Sequence, residues 1–473
     1  MEAAMNSPKS TFALLFGNRG FFPAHYMESA RTELEHVLTG LGHNVLMMPV
    51  ERTRLGAVET AEEGRAFAEF FQEHRKKIDG VILSLPNFGD ENGVLEALRD
   101  VDVPILIQAY PDDLDKLSPD KRRDSFCGKL SIMDVLTQGK VKFTNLIPHT
   151  VHPNSDEFAD NVSQFDRTCR VTKGLRRLSV GAIGARTTPF KTVRVDEVAL
   201  QNHGITVETT DLADVFARMD AVEASSAEFK KFKQELSQLA EWKNAPEDAL
   251  DNLTRLKVVL TELVAQMGLG TMALRCWTEL QQRYGISPCL VTGNLADLGM
   301  PVACEVDISN AITMFALGAA SGEATSILDW NNNYGDDPDK CILFHCGNVP
   351  RSLMAAKGEI SDHAILANAL GEGKGFGCNQ GRMRETDFTY SSMITKDGRI
   401  QFYLGTGRIT ADEIKGPFFG CAGVAEIPGL QEVLRWLGQN GHRHHVSITP
   451  GNHVEAMREA FENYLGYEVK VFE

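Results

Sequence analysis

The chain has 473 residues, 43% of them hydrophobic and 24% charged, with 48 Lys and Arg against 64 Asp and Glu and a formal net charge of −16. This composition excludes wholesale disorder and a fibrous repeat, and at roughly 100–200 residues per domain the length predicts three domains rather than one core. An acidic balance without a basic, aromatic-interleaved stripe excludes a nucleic-acid partner, and no stretch approaches the ~18 consecutive apolar residues of a membrane span. Nine cysteines, an odd number without a CxxC pair, give neither a disulfide framework nor a zinc knuckle. Cys341 and Cys346 bracket a histidine, but structural zinc needs four ligands. Residues 1–9 lack the basic and apolar regions of a secretory signal, so the expected location is the cytoplasm.

Residues 1–174 read as alternating strand and helix. A strand over 11–16 runs into Gly17-Asn18-Arg19-Gly20, a helical period covers 27–41, and further strands fall at 44–50, 80–85 and 103–109. Such spacing predicts βαβ units and a parallel sheet, with ligand loops at the carboxyl ends of the strands, at 17–23, 86–93 and 110–113. A break near Gly174 opens a second α/β domain, 175–325, with strands at 178–183 and 205–208, a helix capped by Thr210 or Asp211, and a helical, solvated stretch over 225–263. Both domains are expected to be doubly wound and Rossmann-like. From about residue 325 short apolar runs at 341–344, 388–394 and 400–405 alternate with Gly-rich turns, which predicts a β-rich, barrel-like domain over 326–473.

The sharpest chemical feature is Pro301-Val302-Ala303-Cys304-Glu305-Val306-Asp307, two carboxylates between an apolar run and a helix starting near Ile308. There they can hold a cation or move a proton; equally, Asp307 can cap the helix and Glu305 can form a salt bridge. Asp329 ends the apolar run 324–328, His345 follows 341–344, and His442-Arg443-His444-His445 leads into 446–448. Of adjacent histidines in a strand only one faces a given side. Two carboxylates with one or two imidazoles make a mixed oxygen and nitrogen shell suited to Mn²⁺, Co²⁺ or Zn²⁺ with open positions.

The segments Ala303-Cys304-Glu305-Val306-Asp307, Ile327-Leu328-Asp329-Trp330 and Arg443-His444-His445-Val446 resemble those of the L-fucose and L-arabinose isomerase superfamily, as do Gly17-Asn18-Arg19-Gly20-Phe21-Phe22 and Ile448-Thr449-Pro450-Gly451-Asn452-His453. The resemblance implies one divalent metal, typically Mn²⁺, held by Glu305, Asp329 and His445. Similarity to L-arabinose isomerases adds His345, and the stretch from Phe344 to Asn348 with residues 371–384 resembles a compact subgroup that includes sulfoquinovose isomerases. It further implies interconversion of an aldose and a ketose through a cis-enediol, with Glu305 and Asp329 carrying protons. A carboxylate bound to a dication is a poorer base, which sets a tension inside that assignment.

The loop 371–384, with five glycines, Lys374, Arg382 and Arg384, has the composition to wrap a sulfonate or carboxylate tail, joined by Arg19 or Arg186; Asn348 completes the expected substrate set. A solvated surface loop has the same composition. Relatives of this type assemble as trimers or hexamers, so a homo-oligomer is expected. Sulfoquinovose, L-fucose or D-arabinose, and L-arabinose are the candidate substrates. A non-catalytic sugar-binding protein and a metal-dependent aldolase are the rival functions.

Overall fold

The computed structural model describes residues 10–473. Residues 1–9, on which the expectation about a secretory signal rests, lie outside them. The chain forms two compact units, one of residues 10–173 with Glu455–Gly466, the other of Gly174–Val454 with Tyr467–Glu473. No helix among the described residues is long and apolar enough to cross a membrane.

In the first unit β1 (Thr11–Phe16), β2 (Asn44–Met47), β3 (Gly80–Leu85) and β4 (Ile105–Ala109) make a parallel sheet in the order β2-β1-β3-β4. Successive side chains of a strand point to opposite faces. Phe12, Leu14 and Phe16 therefore enter one core with Ile82 and Leu106, while Ala13 and Leu15 enter another with Val81, Leu83 and Leu85. Both faces are covered, which is why these strands read as continuous apolar runs. The carboxyl-end loops meet: the Asn87 side chain donates to Asn18 Oδ1 and accepts the Arg19 backbone N–H at 3.3 Å. The segment Glu455–Gly466 belongs here through Tyr464, whose hydroxyl accepts the Ile105 N–H at 3.2 Å and bonds the Thr144 hydroxyl at 2.9 Å. Its apolar pattern alone does not reveal that destination.

The second unit opens with β5 (Ser179–Ile183), β6 (Thr206–Thr210), the two-residue β7 (Ala240–Glu241), β8 (Thr271–Leu274) and β9 (Val302–Ala303). Four of them form a parallel sheet, β6-β5-β8-β9. Asp211 caps the helix Leu212–Ala221 by accepting the Ala213 N–H at 2.7 Å. The helical stretch expected over 225–263 is two helices, Ala227–Leu239 and Glu247–Met267, because Pro246 cannot sit inside a helix and β7 intervenes. Helix Glu247–Met267 buries Leu256, Val259, Leu260 and Leu263 in one core with Ile183, Met272 and Leu274. Helix Ile308–Ser321 is tied to the sheet by Thr271 Oγ1, which donates to Ala311 O at 3.1 Å.

The remaining strands are β10 (Ser326–Asn333), β11 (Lys340–His345), β12 (Gly358–Ser361), β13 (Cys378–Arg382), β14 (Thr386–Lys396), β15 (Arg399–Ile409), β16 (Cys421–Glu426), β17 (His445–Pro450) and β18 (Glu468–Val471). With β7 they form one mixed ten-stranded sheet, β18-β15-β14-β17-β10-β11-β16-β13-β12-β7. β15 pairs additionally with β16, through Arg408↔Glu426 and Ile409↔Ala425. Leu328, Leu343, Phe388, Tyr390, Tyr403 and Val446 share its core.

Two registers matter for the site: Asp329 pairs with His445 across β10 and β17, and His345 pairs with Cys421 across β11 and β16. Gly420, at φ +77°, lets the chain pass His345; a Cβ there would lie 2.4 Å from the His345 carbonyl oxygen. Gly420→Ala is expected to destabilise the protein by about 2–4 kcal/mol, from left-handed strain plus overpacking. A urea midpoint equal to wild type would contradict that packing.

Candidate metal centre

After β9 the backbone of Glu305 and Val306 turns through two successive left-handed conformations, φ 55° and 59°. Non-glycine residues pay about 1–2 kcal/mol for each, and such strain persists only where the surroundings fix it. Here the Val306 N–H donates to Leu274 O at 3.2 Å and the Asp307 N–H to Cys304 O at 3.0 Å. The turn directs Glu305 inward, 7% exposed, and leaves Asp307 to cap helix Ile308–Ser321 by accepting the Asn310 N–H at 3.1 Å.

Four distant residues converge. Glu305 Oε2 lies 3.7 Å from both His345 Nε2 and His445 Nε2, and Asp329 Oδ1 lies 3.6 Å from His445 Nε2. These separations are too long for hydrogen bonds. They fall between the about 3 Å of adjacent and about 4.2 Å of opposite ligands around a dication with bonds near 2.1 Å. Among the described residues Glu305 Oε2 and Asp329 Oδ1 are buried acceptors without a hydrogen bond, a costly condition that a cation relieves. The donor set fits a metal, and Glu305 with His345 and His445, or Asp329 with His444 and His445, forms a cluster able to hold one.

The two buried histidines are held in opposite senses. His445 Nδ1 is 2.8 Å from Asp307 Oδ2; a carboxylate only accepts, so this nitrogen carries the proton and Nε2 presents its lone pair to Glu305 and Asp329. His345 Nδ1 instead accepts the Cys346 backbone N–H at 2.9 Å, which leaves the proton of the neutral ring on Nε2. Arg443 also bonds Asp307, so one buried carboxylate orients the ligand histidine and neutralises a buried guanidinium.

Burial raises the Glu305 carboxyl, but His345, His445 and the Trp277 indole outweigh it and bring its pKa to about 2. At Asp307 burial is likewise outweighed, by Arg443 and His445, and the group sits well below the usual carboxylate range. A carboxyl depressed in this way contributes stability that is complete above its unfolded pKa, about 3.9, and is lost as pH falls toward the folded value. As pH falls below about 4 the urea midpoint should therefore drop more steeply for wild type than for Asp307→Asn; parallel slopes there would contradict the pairing.

Further residues complete the surroundings. Trp277 Nε1 donates to Glu305 Oε1 at 3.2 Å, and the Phe190 ring packs 5.8 Å from those of Trp277 and His445 and 5.6 Å from that of His444. The expectation that adjacent histidines face opposite sides needs correction: His444 Nε2 also approaches Asp329 Oδ1, at 3.7 Å. His444 precedes β17, so strand alternation does not bind it. Trp277 and Phe190 carry no signal in the sequence; Arg443 lies in the resembling segment Arg443–Val446 without a role of its own, and Asp307 reads equally well as a cation holder or a helix cap.

Within the second unit the expected substrate residues are engaged in separate local contacts. Asn348 is buried near the centre, its Nδ2 3.6 Å from Cys304 Sγ. Arg186 is half-buried on the loop carrying Phe190 and donates to the Thr187 and Thr188 carbonyls. Arg382 donates to Asp412 O, Arg384 to Ser352 O, and Lys374 is exposed. The glycine-loop amides expected to wrap a substrate anion wrap an internal one: Gly373 and Gly375 N–H donate to Asp362 at 2.6 and 2.7 Å. Arg19, in the first unit, pairs with Glu91 at 3.2 Å and lies over the Phe88 ring.

Residues 13–176 match the fucose/sulfoquinovose isomerase N-terminal domain, and residues 343–473 match the L-fucose isomerase C-terminal domain. The chain belongs to the fucose/sulfoquinovose isomerase family. It is an aldose–ketose isomerase. It is 23% identical over 425 residues to the sulfoquinovose isomerase of Priestia aryabhattai, covering 88% of this chain and 90% of that one, and equally similar to that of Priestia megaterium. The sulfoquinovose isomerase of a Clostridium species is 24% identical over 327 residues, 68% of this chain and 70% of the relative. Of the four converging residues, His345 and His445 fall within the matched C-terminal domain, while Glu305 and Asp329 lie in the stretch between the two matched domains.

Proposed function

We propose that the chain interconverts sulfoquinovose and its ketose by proton transfer, using one divalent metal, Mn²⁺, held by Glu305, Asp329 and His445. The observation that carries this reading is the approach of two unbonded buried carboxylate oxygens to the lone-pair nitrogen of one Asp307-oriented imidazole. When bound, the dication supplies a Lewis acid that compensates negative charge on the sugar oxygens at C1 and C2. Glu305 has its second oxygen tied to Trp277 and acts as a fixed anchor. Asp329, 23% exposed, is the residue that carries the proton between C1 and C2, which eases the tension of asking a fully engaged ligand to serve as base.

His345, protonated on Nε2, donates to a sugar oxygen rather than ligating the metal. His345→Gln should therefore lower kcat while leaving Mn²⁺ affinity nearly unchanged; a ligand role predicts a loss of about 10–100-fold or more in isothermal titration. Arg186 receives the sulfonate, being on the loop whose Phe190 packs against His445. The names of the relatives support the anionic substrate, with L-fucose, D-arabinose and L-arabinose as the neutral alternatives.

The reading retains three sequence domains, 1–174, 175–325 and 326–473, supported by a sheet in each. The β15–β16 pairing, which links the ends of six successively antiparallel strands, supports a barrel-like third domain. Nine free cysteines support a reducing, cytoplasmic setting, and the family resemblance supports a trimer or hexamer.

The test is to incubate metal-stripped and Mn²⁺-reloaded protein with the four sugars in deuterated water. The expected result is metal-dependent ketose carrying solvent deuterium at C1, with Arg186→Ala impairing sulfoquinovose more than any neutral aldose. No ketose from any sugar, or carbon–carbon cleavage, would overturn the proposal.

A further inference from the structure

Glu305 uses only one oxygen toward the histidines. On its other side stand Cys276 and Cys304, 7% and 1% exposed, and the two Sγ atoms and a Glu305 oxygen all lie within 4.8 Å of one another. Cys276 Sγ is 3.5 Å from Glu305 Oε1. Two ligands of a tetrahedral zinc, with bonds of about 2.3 Å to sulfur and about 2.0 Å to oxygen, stand about 3.5 Å apart. A second, independent feature borders the cluster. Asn348 is 3% exposed; among the described residues its Oδ1 accepts no hydrogen bond, and its Nδ2 donates to Cys304 Sγ at 3.6 Å and Ile327 O at 3.5 Å. A half-turn of the amide brings the unsatisfied oxygen to the thiol side at the cost of the 3.5 Å bond from Nδ2 to Ile327 O, a loss that coordination of a cation by that oxygen offsets.

We propose that Cys276, Cys304 and Glu305 Oε1, with the Asn348 amide oxygen as fourth donor, form a second cation site that takes a thiophilic dication such as Zn²⁺ or Cd²⁺. Sulfur donors discriminate against Mn²⁺, whereas the carboxylate and imidazole set on the far side of Glu305 accepts it, so the two sites differ in the ion they hold. As each metal–sulfur bond forms, its thiol proton passes to solvent, two per ion, and no redox change is involved. Because Glu305 belongs to both sites, an ion on the sulfur side withdraws electron density from the carboxylate. Mn²⁺ and the thiophilic ion then weaken each other's binding reciprocally. That coupling, and the inhibition by Zn²⁺ and Cd²⁺ it entails, rests on the reading of Glu305 as a ligand of the first centre; the sulfur site itself does not.

The test uses reduced, metal-stripped full-length protein titrated anaerobically with Co²⁺ and with Cd²⁺, recording sulfur-to-metal charge-transfer absorption and proton release. The expected result is a charge-transfer band in wild type and in His445→Gln, lost in Cys276→Ser and Cys304→Ser, with two protons released per ion. No band in wild type, or a band that survives both serine substitutions, would overturn the site; the wild-type result decides even if a variant fails to fold. Mn²⁺ binding retained by His445→Gln beside an intact band would refute the first centre and support this one.

Discussion

Glu305→Gln should abolish Mn²⁺ binding and lower kcat/KM by about 10³-fold or more, the range associated with losing a principal source of charge stabilisation. The amide keeps the shape and can still accept from Trp277. It places either a neutral oxygen or an N–H donor where Oε2 now faces His345 and His445. The strained turn at Glu305 and Val306 is fixed by backbone bonds to Leu274 and Cys304, so the variant should fold. Circular dichroism and a urea titration near wild type, together with lost metal binding, would locate the defect in the donor. Retained activity at a normal rate would remove Glu305 from the centre.

Asp307→Ala should be the most damaging single change to stability. Its carboxylate caps a helix, bonds Arg443 and orients His445, all in a fully buried setting. Removing one partner of a buried ion pair leaves the other charge uncompensated, at a cost of about 3–5 kcal/mol. His445 simultaneously loses the partner that fixes its tautomer, a change worth about 10–100-fold in metal affinity. Asp307→Asn keeps a capping oxygen and should fall between. Urea denaturation with isothermal titration of Mn²⁺ would separate the two effects; an alanine variant as stable as wild type would contradict the pairing with Arg443.

Much of the fold was legible because its signals are local. The runs at 11–16 and 80–85 are apolar at every position because both faces of that sheet are covered, and the run at 178–183 marks β5 to within a residue. What stayed hidden depends on long-range packing: the return of Glu455–Gly466 to the first unit, and β7 as an edge of the large sheet.

The centre divides similarly. Glu305, Asp329, His345 and His445 were recognisable as chemistry-bearing side chains next to apolar runs, and the fold brings them together. The opposite tautomers of His345 and His445 were not recognisable, since each is set by a neighbour, the Cys346 amide or the Asp307 carboxylate, whose position only folding determines. The glycine loop misled for the same reason: its composition suits an anion, and the anion it holds is Asp362.

The most direct test is electron spin-echo envelope modulation of the Mn²⁺-loaded protein, which registers nitrogen bound to the ion. The account predicts coupling to one imidazole nitrogen, unchanged in His345→Gln and absent in His445→Gln. No nitrogen coupling in wild type, or coupling that survives His445→Gln, would contradict a metal held by Glu305, Asp329 and His445.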